Sequence, residues 1–150
     1  MNEWKIEGTG ARLAVRVLSY ERASATNQSD ANWLRCKVEA TFGTFSGSAE
    51  YAITTTDLAQ FENSLREMLE GQSKKAYFST MEEGIGFELD LNGRGQSTVS
   101  GFLKSSAMPK VKIEFAFQSD QSYLQQTLSD LSQVDGRFPK RLIPNAGGIL

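Results

Sequence analysis

The chain has 150 residues, of which 39% are hydrophobic, and its formal net charge is −2. This length is typical of one domain with its own core, and the acidic balance argues against a nucleic-acid binder, which needs clustered Lys and Arg. Histidine is absent and Cys36 is the single cysteine, which excludes imidazole catalysis, a zinc site of Cys and His, and an internal disulfide. We therefore predict a non-enzymatic protein with no catalytic, cofactor or metal site.

The chain shows no targeting or membrane signal. Residues 1–5 lack the apolar run of a signal peptide, and no stretch is long and apolar enough to span a bilayer. We predict a cytoplasmic location. Cys36 falls on the apolar side of an alternating segment, so we predict a small buried hydrophobe rather than a reactive thiol.

The first half of the chain predicts four strands and a helix. Strands are predicted around residues 4–7, 13–17, 33–42 and 45–53. The third strand alternates apolar and polar residues throughout, which is typical of a strand with one buried face. Gly43-Thr44 predicts a tight hairpin between the third and fourth strands. The polar residues 21–32 predict a long surface loop before the third strand.

A helix is predicted next, at about residues 56–70, because apolar residues recur there with helical spacing. Thr54 and Asp57 have the spacing of a capping box, Glu62 can pair with Arg66, and Gly71 can end the helix.

The second half repeats this arrangement. Strands are predicted around residues 77–80, 85–91, 98–104 and 111–118, followed by a helix at about 120–134 with Gly136 beyond its end. The apolar positions of the two predicted helices match at an offset of 63 residues. Either an internal duplication or chance can explain this match. We predict an α+β fold of order ββββα-ββββα, with mainly antiparallel sheets of seven to eight strands and two helices. Residues 1–142 would form one domain, and residues 143–150 a flexible C-terminal tail.

Trp33 is an apolar side chain on the polar side of the third strand. It can be a binding anchor, since tryptophan is enriched in interface hot spots, or it can be covered by the N-terminal strand or the C-terminal tail, with Phe138 as the candidate cover. Glu88 and Asp90 share the polar face of one strand, where exposed charges that keep a strand soluble explain them better than a catalytic pair does.

Four short motifs resemble one protein family. Asp30-Ala31-Asn32-Trp33-Leu34 opens a long strand, Thr54-x-x-Asp57-Leu58 starts a helix, a strand centred on Phe87 follows Glu82 and Glu83, and the final helix runs into Phe138-Pro139-x-Arg141. Over residues 12–141 the chain resembles the WapI-type immunity proteins of bacteria.

The resemblance implies an antitoxin that binds a cognate toxin domain and occludes it stoichiometrically. The partner would be a protein, with a basic toxin surface meeting an acidic patch on this chain. The predicted partner-binding residues are Asp30, Trp33, Glu39, Glu50, Glu88 and Asp90. Asn32 is predicted to be structural, because it can bond backbone where the loop enters the strand. The alternative is a non-enzymatic α+β module that binds a small molecule or forms a homo-oligomer; the oligomeric state is left open.

Overall fold

The computed structural model describes residues 2–143, which form two four-stranded antiparallel sheets and three helices. In chain order the elements are β1 (Glu3–Gly8), β2 (Ala11–Tyr20), α1 (Gln28–Ala31), β3 (Trp33–Phe42), β4 (Phe45–Thr54), α2 (Thr55–Leu69), β5 (Lys75–Ser79), β6 (Ile85–Leu91), β7 (Gln96–Lys104), β8 (Lys112–Asp120) and α3 (Gln121–Arg137). The predicted order ββββα-ββββα and the antiparallel pairing are confirmed.

Each sheet is a simple meander, in which every strand pairs with the next one along the chain. The β3–β4 hairpin is closed by the two residues that the sequence predicts, because Phe42 pairs with Phe45 across Gly43 and Thr44. Gly43 has φ +61°, a conformation that glycine adopts without steric cost. The alternation of β3 is also confirmed, since Leu34, Cys36 and Val38 are all buried.

The predicted capping box starts helix α2. The Thr54 side chain accepts from the Asp57 backbone N–H at 3.0 Å, and the Asp57 carboxylate accepts from the Thr54 N–H at 3.0 Å. Arg66 Nη2 donates to Glu62 Oε2 at 2.6 Å, which is the predicted pair one turn apart. Gly71 follows the helix with φ +82°, as a residue just beyond a C-cap often does.

The core lies where the inner faces of both sheets meet α2 and α3. Its centre is aromatic: the ring of Trp4 of β1 packs against those of Phe61, Phe78 and Phe87, with ring centres 5.4–6.3 Å apart. Trp4 and Phe61 are completely buried. Burying an aromatic side chain of this kind stabilises a fold by about 2–3 kcal/mol, so this cluster holds the two halves together.

The two sheets also meet along a seam beside this cluster. The rings of Phe42 and Phe115 stack at 4.5 Å, and the Thr9 N–H donates to the Gln118 carbonyl at 2.8 Å. Gly8 is required at this seam, because a Cβ there would lie 2.0 Å from the Gln118 carbonyl oxygen. The seam fixes the end of β1 against β8.

Three predictions need correction or lie partly beyond the structure. Residues 21–32 are not wholly irregular, because Asn27 caps the one-turn helix α1 by accepting from the Asp30 N–H at 2.8 Å. Gly136 does not lie beyond the last helix; α3 continues through it to Arg137, whose position suits a cation in the last turn. The predicted C-terminal tail, apart from Ile143, lies outside the described residues.

Candidate functional site

The five acidic residues predicted to bind a partner lie in separate places. Asp30 is in α1, Glu39 and Glu50 lie on the outer face of the first sheet, and Glu88 and Asp90 lie on the outer face of the second. The structure therefore brings Glu39 near Glu50 and Glu88 near Asp90, and it does not bring all five into one patch.

Each of these carboxylates also has a cation beside it. The ion pairs are Arg22–Asp30 at 3.6 Å, Lys37–Glu39 at 3.7 Å, Arg35–Glu50 at 3.6 Å, Lys75–Glu88 at 3.0 Å and Lys75–Asp90 at 3.9 Å. The hydrogen bond from Lys75 to Glu88, with the nearby charges of Glu88 and Asp90, raises the pKa of Lys75. Paired charges of opposite sign cancel at a distance, so these faces present little net negative potential.

Trp33 is half-buried at the start of β3, opposite Thr54. It lines a surface depression of about 430 Å³ with Gln60, Met81 and Lys140. The C-terminal segment reaches this depression through Lys140. The ring of Phe138, the candidate cover, packs edge-on against Tyr20, with the ring centres 5.7 Å apart.

The residues of the first and last motifs meet in space, 110 positions apart. The guanidinium of Arg141 donates to the carbonyls of Ala31, Arg22 and Ala23, and it lies 3.9 Å from the centre of the Tyr20 ring. The Asn32 side chain accepts from the Arg141 N–H at 2.7 Å and donates to its carbonyl at 3.0 Å.

We call this contact set the Arg141 clamp; it consists of Tyr20, Asn32, Arg141 and the three carbonyl groups. The clamp holds the loop between β2 and β3 against the C-terminal segment. The Tyr20 hydroxyl adds a hydrogen bond to the Pro139 carbonyl at 2.6 Å. Asn32 thus has a structural role. Its side chain donates to the Gln28 carbonyl in its own loop at 3.1 Å, as the sequence predicts, and it also binds the distant C-terminal segment.

A cleft of about 460 Å³ lies between the tip of the β3–β4 hairpin and the tip of the β7–β8 hairpin. We call it the hairpin cleft. One wall is formed by Ala40, Phe42 and residues 45–49, and the other by residues 103–109 together with Val111 and Ile113. Tyr51 joins the two walls, because its hydroxyl donates to the Lys104 carbonyl at 2.7 Å. Burial raises the pKa of this hydroxyl, so it remains a donor over the physiological range.

The hairpin cleft is lined by large apolar side chains that the core does not cover. Phe45 is 73% exposed, Met108 78%, Val111 49% and Ile113 36%. These are four of the eight exposed large hydrophobic residues in the described part of the chain. Such concentrations on a soluble surface mark interaction sites. The sequence does not predict this site, because Phe45 and Ile113 lie on the apolar side of their strands, where residues are expected to be buried in the core.

Two observations concern metal binding and thiol chemistry. Among residues 2–143, no three His, Cys, Asp or Glu side chains are grouped so that they could hold a metal ion. The thiol of Cys36 is buried, and burial raises its pKa to about 12.

One carboxyl pair stands out between α2 and α3. Burial, followed by the hydrogen bond and the charge of Glu62, raises the pKa of Asp135 to about 8. The pKa of Glu62 is lowered by its hydrogen bonds with Asp135 and Arg66, although its own burial opposes this. Asp135 therefore keeps its proton near neutral pH beside the Glu62 carboxylate, where α2 packs against α3.

Comparison with known proteins identifies the family of the chain. A model of the immunity protein WapI-like family matches residues 5–139, which is nearly the whole of the described structure. The chain belongs to this family. A comparison with curated protein sequences finds none that matches.

The family's fold has a counterpart among solved structures. The structure of the plant transcriptional regulator PBF-2 matches with a TM-score of 0.51 at 8% sequence identity, and the match covers 91% of this chain and 81% of that one. At this identity the likeness shows the fold alone. In the described residues of this family member, no helix is long and apolar enough to cross a membrane.

Proposed function

We propose that this chain is a non-enzymatic antitoxin, which binds a cognate toxin domain in a stoichiometric complex and blocks its active surface. Membership of the immunity family over residues 5–139 carries the proposal. The proposed site of action is the cytoplasm, where a neighbour's or the cell's own toxin domain would act.

The structure supports a binding role through its exposed surface. The hairpin cleft presents uncovered apolar side chains on the tips of two hairpins, and the strands of both hairpins contribute buried residues to the hydrophobic core. A partner that buries such side chains gains free energy without reordering the scaffold. Rigid elements that display apolar residues suit tight occlusion of another protein.

The decisive experiment is co-expression with the cognate toxin domain, for which an open reading frame next to this chain's gene is the candidate to test. We expect growth to be rescued, and we expect the purified complex to contain one copy of each protein by light scattering. The variant Phe61→Asp, which places a charge in the core, serves as the control for fold dependence and is expected to lose protection. A toxin domain that kills equally with and without the wild-type chain, and forms no complex with it, would refute the proposal.

The alternative of a small-molecule-binding module has one observation in its favour. The hairpin cleft, at about 460 Å³, has the size of an ordinary ligand pocket. If this alternative holds, an apolar dye such as ANS should bind the native chain with one-to-one stoichiometry and the wild-type chain should not rescue growth.

A further inference from the structure

We propose that the two halves of this chain are exchangeable modules, and that the partner which fits their contact surfaces is a second copy of the chain, with which it swaps halves to form a dimer. The first half runs from β1 to α2, and the second half runs from β5 to α3. The proposal goes beyond the antitoxin function and is independent of it, because it concerns how the halves recognise each other.

The two halves have the same construction. Each is a four-stranded meander followed at once by a helix, and the last residue of the fourth strand caps that helix. The capping residues are Thr54 and Asp120, which lie 66 positions apart. Buried helix positions follow the same offset: Leu58, Phe61, Leu65 and Met68 correspond to Leu124, Thr127, Leu131 and Val134. This offset differs from the 63 that the apolar pattern indicates, because Thr127 is buried although it is polar.

Each helix packs against the first strand of the other half. Helix α2 lies against β5, where the Ser64 hydroxyl accepts from the Tyr77 N–H at 3.2 Å. Helix α3 lies against β1, where the Thr127 hydroxyl donates to the Lys5 carbonyl at 2.7 Å. In both places a helix hydroxyl satisfies a backbone group of a strand at the end of its sheet. The contacts are reciprocal, as they are between the two subunits of a two-fold dimer.

The surface between the halves resembles the core of a domain. Trp4 and Phe61 of the first half pack against Phe78 and Phe87 of the second half, with ring centres 5.2–6.3 Å apart across the boundary. None of these four side chains is more than 5% exposed. Interfaces of this apolar kind join permanent subunits. A first half therefore offers a complete binding surface to any second half, including that of another copy.

One short turn joins the halves and decides which second half is used. Helix α2 ends at Leu69 and β5 begins at Lys75, and between them the chain reverses at Gly71, whose φ is +82°. The Gln72 N–H donates back to the Glu67 carbonyl at 2.9 Å, which closes the turn. The closed turn lets α2 fold back onto β5 of the same chain. With the turn open, the same contacts form only with β5 of a second copy, which is a domain swap.

The closed monomer is the expected state at low concentration. The turn holds the two halves at an effective concentration on the order of millimolar, and exchange adds no new contact between them. Exchange is therefore favoured only when the protein refolds at high concentration, or when the turn cannot close.

The first test shortens the turn in the full chain. Deletion of Gln72 and Ser73 leaves too little chain for α2 to fold back onto β5. We expect this variant to have twice the monomer mass by light scattering, to remain dimeric on dilution, and to keep the wild-type circular dichroism spectrum. The matched control is a four-residue glycine–serine insertion after Gln72, which lengthens the turn and should give a monomer at every concentration.

The second test detects exchange between two full-length chains with core defects. Phe61→Asp damages the first half and Phe87→Asp damages the second half, and neither chain can close into a folded monomer. When both are co-expressed with different affinity tags, we expect a heterodimer, because the intact first half of one chain completes the intact second half of the other. The control pairs Phe61→Asp with Leu34→Asp, which also lies in the first half and leaves no complete core.

Every outcome bears on the proposal. A shortened-turn variant that folds as a monomer overturns it. If that variant does not fold, co-expression decides, and the absence of a heterodimer between Phe61→Asp and Phe87→Asp overturns it. Recovery of the Leu34→Asp control pair in equal yield would show association without exchange, which also overturns it. None of these measurements involves a toxin domain, so their failure leaves the antitoxin proposal unaffected.

Discussion

Removal of the Arg141 side chain tests whether the Arg141 clamp holds the C-terminal segment onto the fold. The change Arg141→Ala deletes four hydrogen bonds at 2.6–3.1 Å to the carbonyls of Ala31, Arg22 and Ala23. Ala31 is completely buried, so water cannot easily replace its lost donors, whereas Arg22 and Ala23 are exposed and can bind water.

The expected magnitude follows from these differences in exposure. Loss of a charged donor to the buried Ala31 carbonyl costs about 1.5–2 kcal/mol, and the two exposed carbonyls add little. Loss of the guanidinium from the Tyr20 ring, now at 3.9 Å, adds about 0.5–1 kcal/mol. We therefore expect Arg141→Ala to lower the free energy of unfolding by about 2–3 kcal/mol.

Urea unfolding followed by tryptophan fluorescence measures this loss, since Trp4 is buried and Trp33 half-buried. Arg141→Lys should recover only a small part of the stability, because a lysine cannot span three carbonyls with a planar fork. The neighbouring change Lys140→Ala, at an exposed position, should stay within about 0.5 kcal/mol of the wild type. An Arg141→Lys variant as stable as the wild type would refute the reasoning.

Three further predictions concern the core and the helix interface. Because the pKa of Asp135 is raised to about 8 in the fold, its protonated form stabilises the protein fully at acidic pH and this contribution is lost as pH rises towards 8. Asp135→Asn should keep the hydrogen bond to Glu62 and flatten the fall in Tm between pH 4 and 8, the interval between the usual pKa of 3.8 and the raised value of about 8; an unchanged slope would contradict a protonated Asp135. The thiol of Cys36 should react with a disulfide reagent at pH 8 only as fast as the fold opens, as seen by comparing labelling with and without urea. Gly8→Ala should lower the urea midpoint markedly, by about 2–3 kcal/mol of stability, because its Cβ has no room, whereas Gly47→Ala, in open space, should leave the midpoint nearly unchanged. Equal midpoints for the two glycine variants would contradict the tight seam between the sheets.

Much of the fold could be predicted because its determinants are local in the chain. The Thr54–Asp57 capping box and the Glu62–Arg66 pair join residues three and four positions apart, and both occur as predicted. The end of α3 shows the limit of such signals. A glycine at position 136 favours a helix end, but the helix continues to Arg137 because Val134 is buried and the Phe138 N–H bonds back to its carbonyl at 2.8 Å.

The candidate site could not be predicted in the same way. Phe45 shares a strand face with Ile53, yet Phe45 is 73% exposed and Ile53 is fully buried. Alternation states which residues share a face, but it does not state how far along the strand a neighbouring sheet or helix covers that face. The ion pairs of the acidic candidate residues could not be predicted for a similar reason. Their cationic partners lie mostly on neighbouring strands, so their pairing depends on register.

The amino-acid sequence by itself determined the order of strands and helices, the faces of the strands, the caps of α2 and the resemblance to an immunity family. Those features depend on residues a few positions apart, whose geometry the backbone sets. Only the tertiary structure decided that Asn32 meets Arg141, that the acidic residues are paired, and that the hairpin tips leave an apolar cleft uncovered. Each of these depends on which distant segment covers a given face, and that is decided by how the two sheets and their helices pack together.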